Sequence, residues 1–289
     1  MPRILKPFEY LEPRTVKEAV QMLSTYGAKA KILASGTDLL VSVKRRKVSP
    51  QYVVYIKGIP DLDYIDYSQE DGLKIGALAS HQSIAYSPIV REKYELLATA
   101  CNKVGTPQIR NMGTIGGNIC MAGPSQDTIP PLLVLEAKLK LVSPNGERIL
   151  PIDKFFIAPF KTALNEAELL TEIQIPTLPP RSSGGYLWQT KITAVDETMV
   201  GVAVLMTSDP AGELCQEIKM GLCSVAPTPI RAKQAEALLR GKKIENSLVE
   251  QAAQVAAEEI RPRSRADYRR LMTKVLVKQA INEIWQKIK

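Results

Sequence analysis

Histidine is almost missing from this chain: His81 is the only one in 289 residues. That excludes a multi-histidine metal site and leaves any Ser-His-Asp or Cys-His apparatus resting on one side chain. Its context, Ser80-His81-Gln82-Ser83, reads as the start of a helix and not as an activated pair. Cysteine is scarce as well. Cys101, Cys120, Cys215 and Cys223 form no C-x-x-C, so a metal or iron–sulfur cluster held by this chain is not expected, and the four read as reduced, mostly buried thiols. No apolar run approaches the roughly 18–20 residues that span a bilayer. The start, Met1-Pro2-Arg3-Ile4-Leu5-Lys6-Pro7, lacks the apolar stretch of a signal peptide, so a cytoplasmic location with no membrane span is expected. Neither G-x-G-x-x-G nor G-x-x-x-x-G-K-[ST] occurs, which argues against a Rossmann fold and a P-loop ATPase. The net charge is +8, with basic clusters at Lys44-Arg45-Arg46-Lys47 and at Arg261-Pro262-Arg263-Ser264-Arg265 with Arg269-Arg270. No aromatic residues interleave with them, so no nucleic acid is expected as partner, and they read as a solvated face or a docking face for an acidic partner.

Two glycine turns are present instead. The first is Ile32-Leu33-Ala34-Ser35-Gly36-Thr37-Asp38-Leu39-Leu40. The second is Gly113-Thr114-Ile115-Gly116-Gly117-Asn118-Ile119-Cys120, followed by Pro124 and Asp127. Each places small residues where backbone N–H groups can turn outward and meet a bulky anion with no Cβ in the way. Ser35, Thr37, Thr114 and Asn118 add side-chain hydrogen-bonding groups, and Asp127 suits the hydroxyls of a polyol. A phosphate-bearing ligand gripped from two sides is one reading; glycines that merely make tight strand-to-helix turns is the other.

Along the chain, Thr15-Val16-Lys17-Glu18 forms a capping box before a helix closed at Gly27. Residues 30–34 read as a strand, 39–45 as a short helix and 52–56 as another strand, giving a first unit over residues 1–60. A second unit, 61–176, contains a strand at 73–77, a helix over 92–104, a helix over 129–137, a hairpin around Pro144-Asn145-Gly146 and a strand at 169–175. The stretch from Pro176 to Gly185 reads as a linker. The third unit, 177–289, holds paired strands at 198–206 and 213–222, then three helices. One starts at Thr228-Pro229 and closes at Gly241; a second is capped by Ser247-Leu248-Val249-Glu250; the last buries Leu271, Val275, Ile281, Ile284 and Ile288.

At these residues the chain resembles the flavin-binding medium subunits of molybdenum hydroxylases, the group that includes xanthine dehydrogenase, carbon monoxide dehydrogenase and hydroxybenzoyl-CoA reductase. The resemblance covers nearly the whole chain. It includes both glycine turns, Glu168-Leu169-Leu170-Thr171-Glu172-Ile173-Gln174-Ile175-Pro176, Val225-Ala226-Pro227-Thr228-Pro229-Ile230-Arg231-Ala232, and Tyr268-Arg269-Arg270 before Val275-Leu276-Val277. It implies an α+β protein: an FAD-binding domain of two subdomains (PCMH-type), then a C-terminal α+β domain with a sheet and a three-helix segment. By the same resemblance Ile32, Leu33, Ala34, Ser35, Gly36, Thr37, Asp38 and Leu39 would contact the pyrophosphate side of FAD. Gly113, Thr114, Ile115, Gly116, Gly117 and Asn118 would line the diphosphate region, Asp127 would hold the ribityl chain, and Leu169 would pack near the flavin or adenine. Lys191 stands where relatives carry a lysine near the flavin, and Tyr186 and Trp188 read equally as flavin shields or as core.

These are binding roles, so neither catalytic nor metal-binding residues are expected. FAD is the cofactor implied for this chain. Molybdopterin on a large subunit and iron–sulfur clusters on a small subunit are implied for the partners, in a dimer of heterotrimers, with NAD as a possible acceptor. A non-catalytic assembly subunit with a degenerate flavin site, and a stand-alone flavin oxidoreductase, are the alternatives.

Overall fold

The computed structural model describes residues 6–192 and 197–288. Its first sheet is parallel, in the order β1 (Glu9–Leu11), β3 (Tyr52–Tyr55), β2 (Ala30–Leu33), with α1 (Val16–Tyr26) and α2 (Leu39–Lys44) as connections. Thr15 caps α1 by accepting from the Glu18 N–H, while the Glu18 carboxylate reaches one residue further out than a capping box requires, to the N–H of Arg14. Ala19, Val20 and Leu23 turn inward, and Gly27 ends the helix at φ +51°. These apolar groups share a core with Val54, Ile56, Ile59 and Leu62.

The second sheet is antiparallel, in the order β4 (Ile65–Ser68), β5 (Gly72–Gly76), β10 (Leu169–Ile175), β6 (Lys138–Ser143), β7 (Gly146–Pro151). Between β5 and β6 run α3 (His81–Tyr86), α4 (Pro88–Lys93), α5 (Glu95–Lys103), α6 (Pro107–Met112), α7 (Ile115–Met121) and α8 (Ile129–Val134). The single helix expected over 92–104 is instead two, broken at Tyr94. That residue is buried at φ −137° and donates its hydroxyl to the Pro176 carbonyl, so a tertiary anchor interrupts the helical run. A small hairpin, β8 (Phe156–Ala158) with β9 (Lys161–Thr162), precedes β10.

The third sheet is antiparallel, in the order β11 (Ser182–Gln189), β12 (Val200–Ser208), β13 (Cys215–Cys223), β14 (Ile230–Arg231). Every residue of β12 is buried, the mark of a strand covered on both faces. One face packs against α9 (Lys233–Leu239), α10 (Asn246–Glu259) and α11 (Ala266–Ile288). The other carries Tyr186, Ala203 and Leu205 into the core built by α5 and α8.

Several expectations for this region are corrected. Much of the expected linker is strand β11, whose Gly184 and Gly185 lie against Leu96 and Ile284. Thr228-Pro229 leads into β14, and the helix starts only at Lys233, because Ile230 and Arg231 complete the sheet beside Leu222 and Gly221. Ser247 lies inside α10 and makes no cap; Glu250 instead bridges to Lys274 and Lys278 of α11. On α11 the buried stripe is Thr273, Leu276, Val277, Ala280, Ile281, Ile284, Trp285 and Ile288, whereas Leu271 and Val275 are exposed.

Candidate functional site

Both glycine turns open onto one cavity of about 620 Å³. The first contributes Ile32, Ala34, Ser35, Gly36, Thr37, Asp38 and Leu39; the second contributes Gly113, Thr114, Gly116, Gly117 and Asn118; Asp127 and Leu169 complete the set of expected residues on the wall. Leu33 and Ile115 point into the interior behind it, and Lys191 is exposed and off the wall. Tyr186 is buried and stacks on Trp188 at 5.7 Å between ring centroids, so both also lie behind or beside the cavity instead of lining it.

The turns differ in how they use their backbone. In the first, the chain leaves β2 and reverses at Gly36, whose φ of +81° is the left-handed region open to glycine. None of the N–H groups of Ser35, Gly36, Thr37, Asp38 or Leu39 donates a hydrogen bond within the described residues. Successive unspent amides around such a turn form a concave seat for an anion.

In the second turn, the amides of residues 115–118 are already used, while the Thr114 N–H donates to no group within the described residues. The N–H of Ile115 donates to the Ala79 carbonyl at 3.0 Å, that of Gly116 to Ala77 at 2.9 Å, that of Gly117 to Thr114 Oγ1 at 3.1 Å and that of Asn118 to the Thr114 carbonyl at 3.0 Å. This corrects the expectation that both turns direct their N–H groups outward. The chain segment after β5 takes up those of Ile115 and Gly116, Thr114 takes up those of Gly117 and Asn118, and what remains there is the Thr114 N–H and close approach with few side chains in the way. Gly116 is demanded by packing: an added Cβ would stand 2.6 Å from the Ala77 carbonyl oxygen. Asn118 is likewise committed to the protein, donating to Gln126 Oε1 at 2.7 Å and accepting from Thr128 Oγ1 at 2.6 Å.

Asp127 is positioned by groups from the third sheet region. Its Oδ1 accepts from the Tyr186 hydroxyl at 2.7 Å and from Thr198 Oγ1 at 2.6 Å, while Oδ2 makes no such bond. Burial raises its pKa, opposed by those two hydrogen bonds and by the charge of Lys103. Burial also raises that of Asp38. With Glu197 these are the carboxylates of the wall, which carries no Lys or Arg among the described residues. Cys120 lines the cavity too, but burial pushes its thiol up to about 12, so it stays protonated and is a poor nucleophile. No grouping of His, Cys, Asp and Glu suited to a metal ion occurs among the described residues.

His81 was not expected at the site. It lies on the wall at 2% exposure, and its backbone N–H donates to the Gly113 carbonyl. Its Nδ1 is the one sealed side-chain nitrogen or oxygen without a hydrogen-bond partner among the described residues. Burial, then the neighbouring Arg110, lowers its pKa to about 4, so the ring is neutral at pH 7. Its Ser-His-Gln-Ser context carries no sequence signal for this placement.

The donor set fits a dinucleotide such as FAD: unspent amides for phosphate, a free carboxylate oxygen for hydroxyls, and apolar walls from Ile32, Ile56, Leu164, Leu169 and Leu170 for ring systems. A fold and cavity of this kind define an FAD-dependent flavoprotein, and residues 6–178 match the family of FAD binding domains in molybdopterin dehydrogenases. Residues 187–284 match the CO dehydrogenase flavoprotein C-terminal domain, and the chain belongs to the flavin-binding medium subunits of the molybdenum hydroxylases, an oxidoreductase family.

Among its relatives, the carbon monoxide dehydrogenase medium chain of Hydrogenophaga pseudoflava is 36% identical over 284 residues, covering 96% of this chain and 97% of the relative. The glyceraldehyde dehydrogenase medium chain of Sulfolobus acidocaldarius is 33% identical over 284 residues, covering 96% and 98%. A solved structure of the H. pseudoflava carbon monoxide dehydrogenase, in a form lacking the Mo-pyranopterin moiety of its molybdenum cofactor, superposes with a TM-score of 0.94 over 99% of this chain and 100% of that one. No described helix is long and apolar enough to cross a membrane.

Proposed function

We propose that this chain is the electron-transfer subunit of a molybdenum hydroxylase, holding FAD in the cavity between its two glycine turns. The observation that carries the reading is the run of five unspent amides at residues 35–39, which line the same cavity as the second turn. Those amides would seat the diphosphate, with Ile32, Leu33, Ala34 and Leu39 forming the surrounding strand end and helix start. Gly113, Thr114, Ile115, Gly116, Gly117 and Asn118 would let the diphosphate approach the backbone from the opposite side. Asp127, oriented by Tyr186 and Thr198, would offer Oδ2 to the ribityl hydroxyls, and Leu169 would pack against a ring of the cofactor. Lys191, exposed and off the cavity wall, is given no part in this grip.

Bound FAD supplies exchange of one or two electrons, chemistry that no side chain of this protein offers. The protein's own part is to grip, orient and shield the cofactor, in keeping with a wall whose one thiol is protonated and whose one imidazole is neutral. The electrons would arrive from iron–sulfur centres on a small subunit, after oxidation of substrate at molybdopterin on a large subunit, and leave to NAD or another acceptor. A cytoplasmic dimer of heterotrimers is the proposed assembly. The names of the relatives as medium chains support two further kinds of subunit. Titrating the purified chain with FAD tests the site: quenched flavin fluorescence with one cofactor per chain is expected, and a chain that leaves FAD fluorescence unchanged refutes it. Co-expression with a large and a small subunit gene of a molybdenum hydroxylase from the same source, followed by mass measurement of the complex, tests the assembly.

A further inference from the structure

His81 combines features that packing alone does not explain. A buried histidine with a structural role usually spends its ring nitrogens on protein partners, because a sealed, unpaired polar atom costs stability. Here neither ring nitrogen makes a hydrogen bond, and only Nδ1 is sealed. Nε2 is therefore the nitrogen left open, and it lies beside the second glycine turn: a Cβ added to Gly113 would stand 3.8 Å from Nε2 and 3.3 Å from Cδ2. The backbone holds the ring there firmly. The His81 N–H donates to the Gly113 carbonyl and the Ile115 N–H to the Ala79 carbonyl, so the start of α3 is zipped to the turn, and Ser80 caps that helix through the Ser83 N–H.

The second turn has few donors of its own: the Thr114 N–H and hydroxyl. Its amides at 115–118 are spent inside the protein, and the wall carries Asp38, Asp127 and Glu197 with no Lys or Arg among the described residues. An anion lying against this side would meet Thr114 and little else that favours it. Arg110, on α6, is near the imidazole but is turned away to Gln82 Oε1 and to the carbonyls of Val104 and Gly105. In a neutral ring with Nδ1 sealed from any partner, the tautomer with its proton on Nε2 is the one that can donate on the open side.

Resting on the flavin site proposed above, we propose that His81 is a cofactor ligand: its Nε2–H donates to a phosphate oxygen of the bound dinucleotide, adding on the second turn a donor beside Thr114 where the amides of residues 115–118 are spent. The ring is a binding group with no part in electron transfer.

The protein has one histidine, so [15N]histidine labelling of the full chain yields a single pair of imidazole nitrogen signals. FAD is the probe, with its fluorescence followed in the same sample. Saturation with FAD is expected to shift the Nε2 signal. His81→Ala is expected to weaken FAD binding about tenfold, the scale of one lost hydrogen bond to a charged group. His81→Gln, which retains an N–H donor, should recover part of the loss, and either variant should move a diphosphate 31P signal of bound FAD. Saturation that leaves both imidazole signals in place, or imidazole shifts accompanied by unmoved 31P signals in His81→Gln, would overturn the assignment. The reading on the wild-type imidazole stands even if neither variant folds. Absence of any FAD binding by the wild-type chain is a different result: it refutes the proposed flavin site, and the assignment falls with it.

Discussion

The two glycine turns look alike on paper and are built in opposite ways. The first is loosely held: Asp38 makes no side-chain cap to α2, Ser35 and Thr37 meet only each other at 3.4 Å, and five amides stay unspent. The second is fastened by four amide bonds and by the buried Asn118–Thr128–Gln126 network. Local stability and ligand-binding capacity thus trade against each other: an amide paired within the protein cannot also grip a phosphate. The open turn keeps its donors for a ligand, and the fastened one supplies a rigid wall.

Substitutions should separate these roles. The largest effect is expected at Gly116→Ala, where the new Cβ meets backbone at 2.6 Å and cannot be relieved by a side-chain rotation. A loss of about 3–4 kcal/mol is expected, read as a fall in melting temperature of roughly 6–12 °C. Next is an acid-side loss at His81. Its pKa is about 4 in the folded chain against an ordinary 6.5, so between those values the unfolded chain binds more protons and stability drops as pH falls. About 3 kcal/mol of the pH dependence between pH 7 and pH 4 should disappear in His81→Gln, measured by urea unfolding of the cofactor-free chain at both pH values. Thr128→Val leaves Asn118 Oδ1 buried without its donor, and a loss of about 2 kcal/mol is expected by the same unfolding measurement. The smallest change in stability, about 1 kcal/mol, is expected for Gly36→Ala, because its crowding falls on the flexible Leu40 side chain and the strain is that of one left-handed residue. Its FAD affinity should nevertheless fall about tenfold or more, since the amide seat is distorted. Equal losses of affinity and stability at both glycines would dissolve the contrast between the turns.

How far the sequence could be read varies with the kind of signal. The order and type of the elements around the first turn follow from local pattern: an apolar run 30–33, a small-residue break, then a short helix from Leu39. β11 was hidden because Ser182-Ser183-Gly184-Gly185 has the composition of a loop. A Cβ at Gly184 would stand 3.1 Å from the Val204 carbonyl oxygen and 3.2 Å from Leu96, a tightness set by the neighbouring strand and by a helix about ninety residues away in sequence, while Gly185 makes ordinary contact with Ile284. On α11, Ile281, Ile284 and Ile288 are buried as expected, and the N-terminal part of the stripe differs for a related reason. Leu271 and Val275 fit one helical face and Leu276, Ala280 and Trp285 another, and only the sheet lying on the helix selects between them.

The sequence by itself determined where the chain turns, which segments are apolar, and that two glycine-rich breaks lie in an order characteristic of a flavoprotein family. These depend on steric freedom and hydrophobic periodicity, which act over a few residues. The tertiary structure alone decided which of the two turns keeps its amides free, that Asp127 is oriented by a tyrosine and a threonine from a distant sheet region, and that the single histidine stands on the cavity wall with an unspent nitrogen. Hydrogen bonds are settled by whichever partners the fold brings within about 3 Å, and no short window of sequence contains them.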